Sequence, residues 1–386
     1  PKEEKPEGDW KLPELVADKP MYALIGHGDQ ERLVVLEKQT DKSAFYDRIL
    51  YDANGNKDLT DDPKIDGEPV KSSSTTYRRT TFAPVETKVT VNGKQTPFCF
   101  QPSLYGYLTA PSGTLRSVRL TFSSQCSYTG KLTVGDTSYK VVLSDSDGNG
   151  VFDDKPGYTT MAGTNRRIMR RGDNLFVTKR EKLSYYDGAP LADLASIGGK
   201  TYSVEANVPE GKLVLKPAPA DQLPVRLAGQ ADTMLLTGTD GKTIAVYDPG
   251  QTIDLPAGDY RLTKYTAYKK DKQGDLWMLS ASGSSQAGVT EVKSGQTPIV
   301  QFGAPYKASI AKPTYGIPKE GPIKTARLSF SIVGSGGERV SALSHIEGND
   351  TEIAMSKRNP DRPIEPQYKI VKSDGETVTQ GSFEYG

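Results

Sequence analysis

Histidine and cysteine are nearly missing from this chain, with two of each in 386 residues. A Ser-His-acid triad would have to use His27, in Gly-His-Gly-Asp, or His345, in Leu-Ser-His-Ile. Neither stands beside a Gly-x-Ser-x-Gly nucleophile turn. No His/Cys group has zinc spacing, and no apolar run approaches the roughly 20 residues needed to cross a bilayer. A charge excess is missing as well. Lysine and arginine number 49 against 48 acidic residues, so no long-range field points to nucleic acid or an anionic membrane. Arg166-Arg167 with Arg170-Arg171, and Lys269-Lys270, read as solvated strand edges. Helical periodicity is confined to Leu191–Ile197, where a short helix is expected before the Gly198-Gly199 stop.

What is present is turn chemistry. Gly (38) and Pro (26) are abundant and the hydrophobic share is 35%, which favours short strands around thin cores. The fold expected is mainly β and multi-domain, built of antiparallel β-sandwich, Ig-like units with metal-type loops on hairpins. Strands are expected at Met21–Ile25, Arg32–Glu37, Tyr46–Tyr51, Lys88–Val91, Arg116–Phe122, Lys131–Val134 and Tyr139–Leu143. Asn92-Gly93 supplies a tight hairpin turn. Further strands follow at Lys212–Lys216, Thr233–Leu236, Thr243–Tyr247, Thr252–Leu255, Asp259–Tyr265 and Leu276–Ser280. The last are expected at Ala326–Val333, Tyr368–Val371 and Gly381–Tyr385. Residues 1–20, rich in Lys, Glu and Pro, read as a tether. Their start at Pro1 predicts an upstream signal peptide or lipid anchor. Units are expected over 21–205, 206–300 and 301–386. Cys99 and Cys126 fit either one disulfide or two buried thiols.

One motif carrying chemistry occurs twice. The first copy runs Asp52-Ala-Asn-Gly-Asn-Lys-Asp-Leu-Thr-Asp-Asp62, and the second runs Asp145-Ser-Asp-Gly-Asn-Gly-Val-Phe-Asp-Asp154. Calcium takes six to eight oxygens, and a tight loop offers them when carboxylates or amides recur at alternate residues. The second loop offers Asp145, Asp147, Asn149, the carbonyl of Val151, and Asp153 or Asp154. The first offers Asp52, Asn54, Asn56, Asp58 and Asp61. Gly150 stands at the sixth position, where such loops turn sharply, whereas the first loop has Lys57 there. Both depart from the EF-hand, because Pro63 and Pro156 replace the bidentate Glu and no helices flank them. Polar β-turns without metal use the same residues. Sites of this kind outside the cell bind at about 0.1–1 mM, which makes the expected Ca2+ structural. The spacing of 93 residues (145 − 52) suggests two related halves.

Met21–Asp62 resembles a group of uncharacterised exported bacterial β-proteins in which a strand pair leads into such a loop. The strand Ile197-Gly-Gly-Lys-Thr-Tyr-Ser-Val204 resembles a later strand of the same group. Leu255-Pro-Ala-Gly-Asp-Tyr-Arg-Leu262 is similar to bacterial Ig-like and carboxypeptidase-regulatory-like domains. The resemblance implies a fold style and an export route, and no reaction.

The expected function is that of an exported, calcium-stabilised, non-enzymatic envelope protein with a binding or structural role toward a protein or glycan. The alternative is a secreted polysaccharide-active hydrolase, or its carbohydrate-binding module, using a carboxylate pair that only the fold assembles. Arg171-Gly172-Asp173 spells an integrin tripeptide that short sequences meet by chance. The 20 tyrosines either line a sugar-binding face or cover half-buried strands. Trp277 is expected in the core and Trp10 at the domain edge.

Overall fold

Strand Lys94–Leu108 buries every second side chain from Thr96 to Gly106, the period-two pattern of a strand with one covered face. It is one element of a computed structural model that describes the chain except residues 73, 111–113, 161–166, 171, 208–209, 219–220, 284–287, 311–313, 316–325, 349–353 and 385–386. Apart from one 3-10 turn at Tyr185–Asp187, the regular elements among the described residues are strands. No helix among them is long and apolar enough to cross a membrane.

The chain divides into two compact units, with two further exchanges of chain between them. The first comprises Pro1–Gly130, Val141–Leu175 and Glu205–Val214; the second comprises Lys131–Lys140, Phe176–Val204 and Leu215–Gly386. In the first unit, an eight-stranded sheet runs Met21–His27, Gln30–Glu37, Arg48–Tyr51, Ile65–Pro69, Tyr77–Phe82, Lys94–Leu108, Val85–Val91, and Leu115–Ser124 also pairs with Lys94–Leu108. Asn92 (φ 51) and Gly93 (φ 73) form the expected tight turn. A four-stranded sheet, whose residues are divided between the segments of the two units, orders Ala189–Pro190, Asn174–Thr178, Thr137–Ser144 and Ser127–Val134.

Residues 1–20 are not a free tether. Trp10 is buried with Tyr22, Leu33, Val35, Leu50 and Leu59, and Leu12 and Leu15 pack on that cluster. Lys2 bridges to Tyr22, and Glu37 accepts the amides of Val16 and Ala17. The Lys/Glu/Pro composition hid three apolar anchors spaced within it.

In the second unit, Val225, Leu227, Ile253, Leu255 and Val300 from one sheet meet Met234, Leu236, Ile244, Val246 and Leu262 from another in a shared core. Two sheets closing on one apolar layer make a β-sandwich. Leu276–Ser282 pairs with Arg339–Glu347, so one sheet joins strands on both sides of residue 300. Trp277 is buried, as expected.

The expected helix at Leu191–Ile197 is instead a strand, Leu194–Ile197. It pairs parallel with Thr243–Tyr247 and antiparallel with Lys200–Asn207. Tertiary pairing overrides the weak local preference of an Ala/Leu-containing heptapeptide. The remaining expected strands are present, most with shifted ends, except that Ala326–Val333 divides into Ala326–Arg327 and Phe330–Val333, and that the strand expected at Gly381–Tyr385 is Thr377–Ser382, sharing only residues 381 and 382 with it. Residue 385 lies outside the described residues.

Candidate metal centre

Each loop leaves a strand flanked in its sheet by the preceding strand on one side and a later one on the other. Arg48–Tyr51 lies between Gln30–Glu37 and Ile65–Pro69; Thr137–Ser144 lies between Ser127–Val134 and Asn174–Thr178. The two loops also share backbone form. The fourth and sixth residues have positive φ in both, at Gly55 (77) and Lys57 (66), then at Gly148 (73) and Gly150 (79). Lys57 therefore occupies a left-handed conformation that a side chain enters at a cost of about 1 kcal/mol.

In the second loop the Asp145 carboxylate gathers the chain around itself. One oxygen accepts the amides of Asp147 (3.2 Å) and Gly148 (2.7 Å), and the other accepts that of Gly150 (2.9 Å). Asp173 closes the loop from 28 residues away (173 − 145). Its oxygens accept the amides of Ser146 (3.0 Å) and Asp154 (2.9 Å). Its own amide donates to Asp154 O. Gly172 makes this approach possible, because a Cβ there would meet the Lys155 carbonyl carbon at 2.5 Å.

Ligand oxygens of Asp145, Asp147 and Asp173 all lie within 4.8 Å of one another. Asp145 and Asp173 are buried while Asp147 is exposed. Burial is the first cause that lifts Asp145 to about 6 and Asp173 to about 8, against the opposing pull of the backbone amides. The neighbouring carboxylates add to both shifts. Two buried acids and one exposed acid at this spacing resist ionising together, and a hard cation would favour their charged forms.

The other expected ligands are placed differently. Asn149 Oδ1 accepts the Val151 amide and its Nδ2 donates to Asp154. Asp153 is half-buried, and burial raises its carboxyl. Asp173 takes the closing place expected of Asp153 or Asp154. Its only sequence signal was the Gly-Asp pair in Arg171-Gly172-Asp173. Arg171 lies outside the described residues, and Asp173 has no exposed surface, so the tripeptide presents no integrin-type acid.

The first loop is a run of side-chain-to-backbone turns. Asp52 accepts the amides of Gly55 and Asn56, Asn54 that of Asn56, Asn56 that of Asp58, and Asp58 that of Thr60. Asp61 accepts both asparagine side-chain amides, and Asp58 pairs with Lys11 at 3.0 Å. Asp62, absent from the expected set, accepts the amides of Ala53 and Asn54. Burial lifts it to about 6. Oδ2 of Asp52 and Oδ2 of Asp62 are both buried without a hydrogen-bond partner. Such orphaned oxygens favour a bound cation or water over an empty turn.

His27 lies between the loops. Its Nδ1 is 2.7 Å from the Tyr51 hydroxyl, next to Asp52. The Gly148 carbonyl of the second loop also bonds the ring. Gly28 N donates to Asn149 O at 2.7 Å. The imidazole packs among Phe98, Phe100 and Phe122. Arg32, equally buried, donates to the carbonyls of Asp52 and Ala53 and to Lys88 O. Their place at the loops was not legible in the sequence, since most of their partners there are backbone carbonyls.

No family model matches the chain, and no curated protein and no solved structure matches it either.

Proposed function

We propose that the chain is an exported, calcium-stabilised, non-enzymatic protein of the bacterial cell envelope, with a binding or structural role. The observation that carries the cation is the convergence of Asp145, Asp147 and Asp173 within 4.8 Å. Export and the envelope rest on the resemblance of Met21–Asp62, and on extracellular calcium being high enough to fill a site of modest affinity. The first loop, with its orphaned Asp52 and Asp62 oxygens, is the second candidate position for the same ion.

The hydrolase alternative has less support. A cavity of about 240 Å3 in the second unit is lined by Asp193, Asp240 and Asp259 among others. The Lys242 amide holds Asp240 below its ordinary value, the opposite of what a general acid requires.

A thermal melt tests the cation. At ten times Kd, calcium contributes about 1.4 kcal/mol, which raises the melting temperature by roughly 3–6 °C. Magnesium raises it less, and Asp147→Ala, at an exposed residue, removes the calcium effect. An identical melt in EDTA, calcium and magnesium, with no calcium found by elemental analysis, would overturn the reading.

A further inference from the structure

Strands Tyr77–Phe82, Lys94–Leu108 and Leu115–Ser124 lie side by side with Lys94–Leu108 in the middle. Their alternation sends Thr80, Phe82 and Leu104 inward. The opposite face therefore carries, row by row, Tyr77–Tyr107–Ser117, Arg79–Tyr105–Arg119 and Thr81–Ser103–Thr121. Three of the tyrosines thus gather on one outward surface. Ring centroids are 5.3 Å apart for Tyr77–Tyr107 and 6.3 Å for Tyr77–Tyr105. Tyr107 is 48% exposed, and Arg119 is exposed as well.

The charged side chains within the tyrosine rows are both arginines. Arg79 lies 5.5 Å over the Tyr105 ring, and its Nε is buried without a hydrogen-bond partner. Arg119 is the cross-strand neighbour of Tyr105 on the other side. Among the described residues, neither arginine forms an ion pair with an acid. Glu68 stands one row away, opposite Thr81.

We propose that this face binds an acidic polysaccharide of the uronate type. Sugar C–H faces stack on tyrosine rings, whose hydroxyls reach ring oxygens. Guanidinium groups flanking the stack bind carboxylates in a planar, bidentate way that a neutral glycan cannot use. The hydroxyls of Thr81, Ser103, Ser117 and Thr121 continue the strip along the sheet. The assignment supplies a ligand class for the binding role proposed above. It uses no cation-loop residue, so either reading can fail alone.

The test titrates the full chain with short oligogalacturonates by calorimetry, in EDTA and again in calcium, with maltooligosaccharides of equal length as the neutral control. Saturable binding of the uronate in both buffers is expected, weakened by salt, with little heat from the neutral sugar. Arg119→Ala and Tyr107→Ala, both at exposed positions, each weaken it by about ten-fold, and Arg119→Lys restores part of the loss. No uronate binding at millimolar concentration would overturn the proposal. So would equal affinity for the neutral sugar, binding confined to calcium, or unchanged affinity in both alanine variants. The calcium melt of the same sample reports separately on the cation loops.

Discussion

At the scale of single residues, His27 joins both metal-type loops while remaining uncharged. Burial lowers it to about 4 from 6.5, and the Arg32 guanidinium adds to the shift. A neutral imidazole accepts from Tyr51 and donates to the Gly148 carbonyl; a protonated ring would sit among three phenylalanines. Between roughly pH 4 and 6.5 the unfolded chain takes up a proton that the folded chain refuses. The stability is thus complete above pH 6.5 and is lost as the pH falls toward 4, by about 3 kcal/mol at the limit. Denaturant titrations of the protein and of His27→Gln should converge by that amount between pH 7 and pH 4. A constant difference between them would show that His27 titrates normally in the folded chain.

Individual elements divide sharply by burial. Thr243–Tyr247 is buried at every position and has partners on both sides, Leu194–Ile197 and Thr233–Gly238. The hairpin Gln367–Val371/Thr377–Ser382 is a two-stranded sheet whose residues are mostly exposed on both faces. A two-stranded pair without a covered face is marginal in water. Its amides are expected to exchange through local opening within about 1 kcal/mol of the native state, while those of Thr243–Tyr247 exchange only with global unfolding. Hydrogen exchange followed by mass spectrometry reads both, and equal protection would refute the division. The cysteines belong to this scale too. They are both free thiols, with Cys126 Sγ 2.8 Å from the Cys99 amide, and burial raises both.

For the whole molecule, the interleaving of the two units has a consequence. The break expected near residue 205 falls inside the strand Lys200–Asn207. A fragment of residues 1–205 keeps Leu194–Ile197 but loses its parallel partner Thr243–Tyr247, exposing Ala195 and Ile197, which are buried in the intact chain. Such a fragment is expected to lack a cooperative melt and to aggregate, through the uncovered edge that results. A sharp transition monitored by circular dichroism would show that residues 1–205 fold without the rest of the chain.

The sequence by itself determined the β class, the positions of most strands and the two loops, because alternation and Asp/Asn/Gly turns are local properties of neighbouring residues. Asp145, Asp147 and the sharp turn at Gly150 were legible for the same reason. The tertiary structure alone decided that Asp173 closes the second loop, that residues 1–20 are packed, that Leu191–Ile197 is not helical and that three tyrosines meet two arginines on one sheet face. Each of these depends on contacts between residues far apart in the chain. Such pairings are set by sheet register and by the backbone partners of buried polar groups, on which local composition is silent.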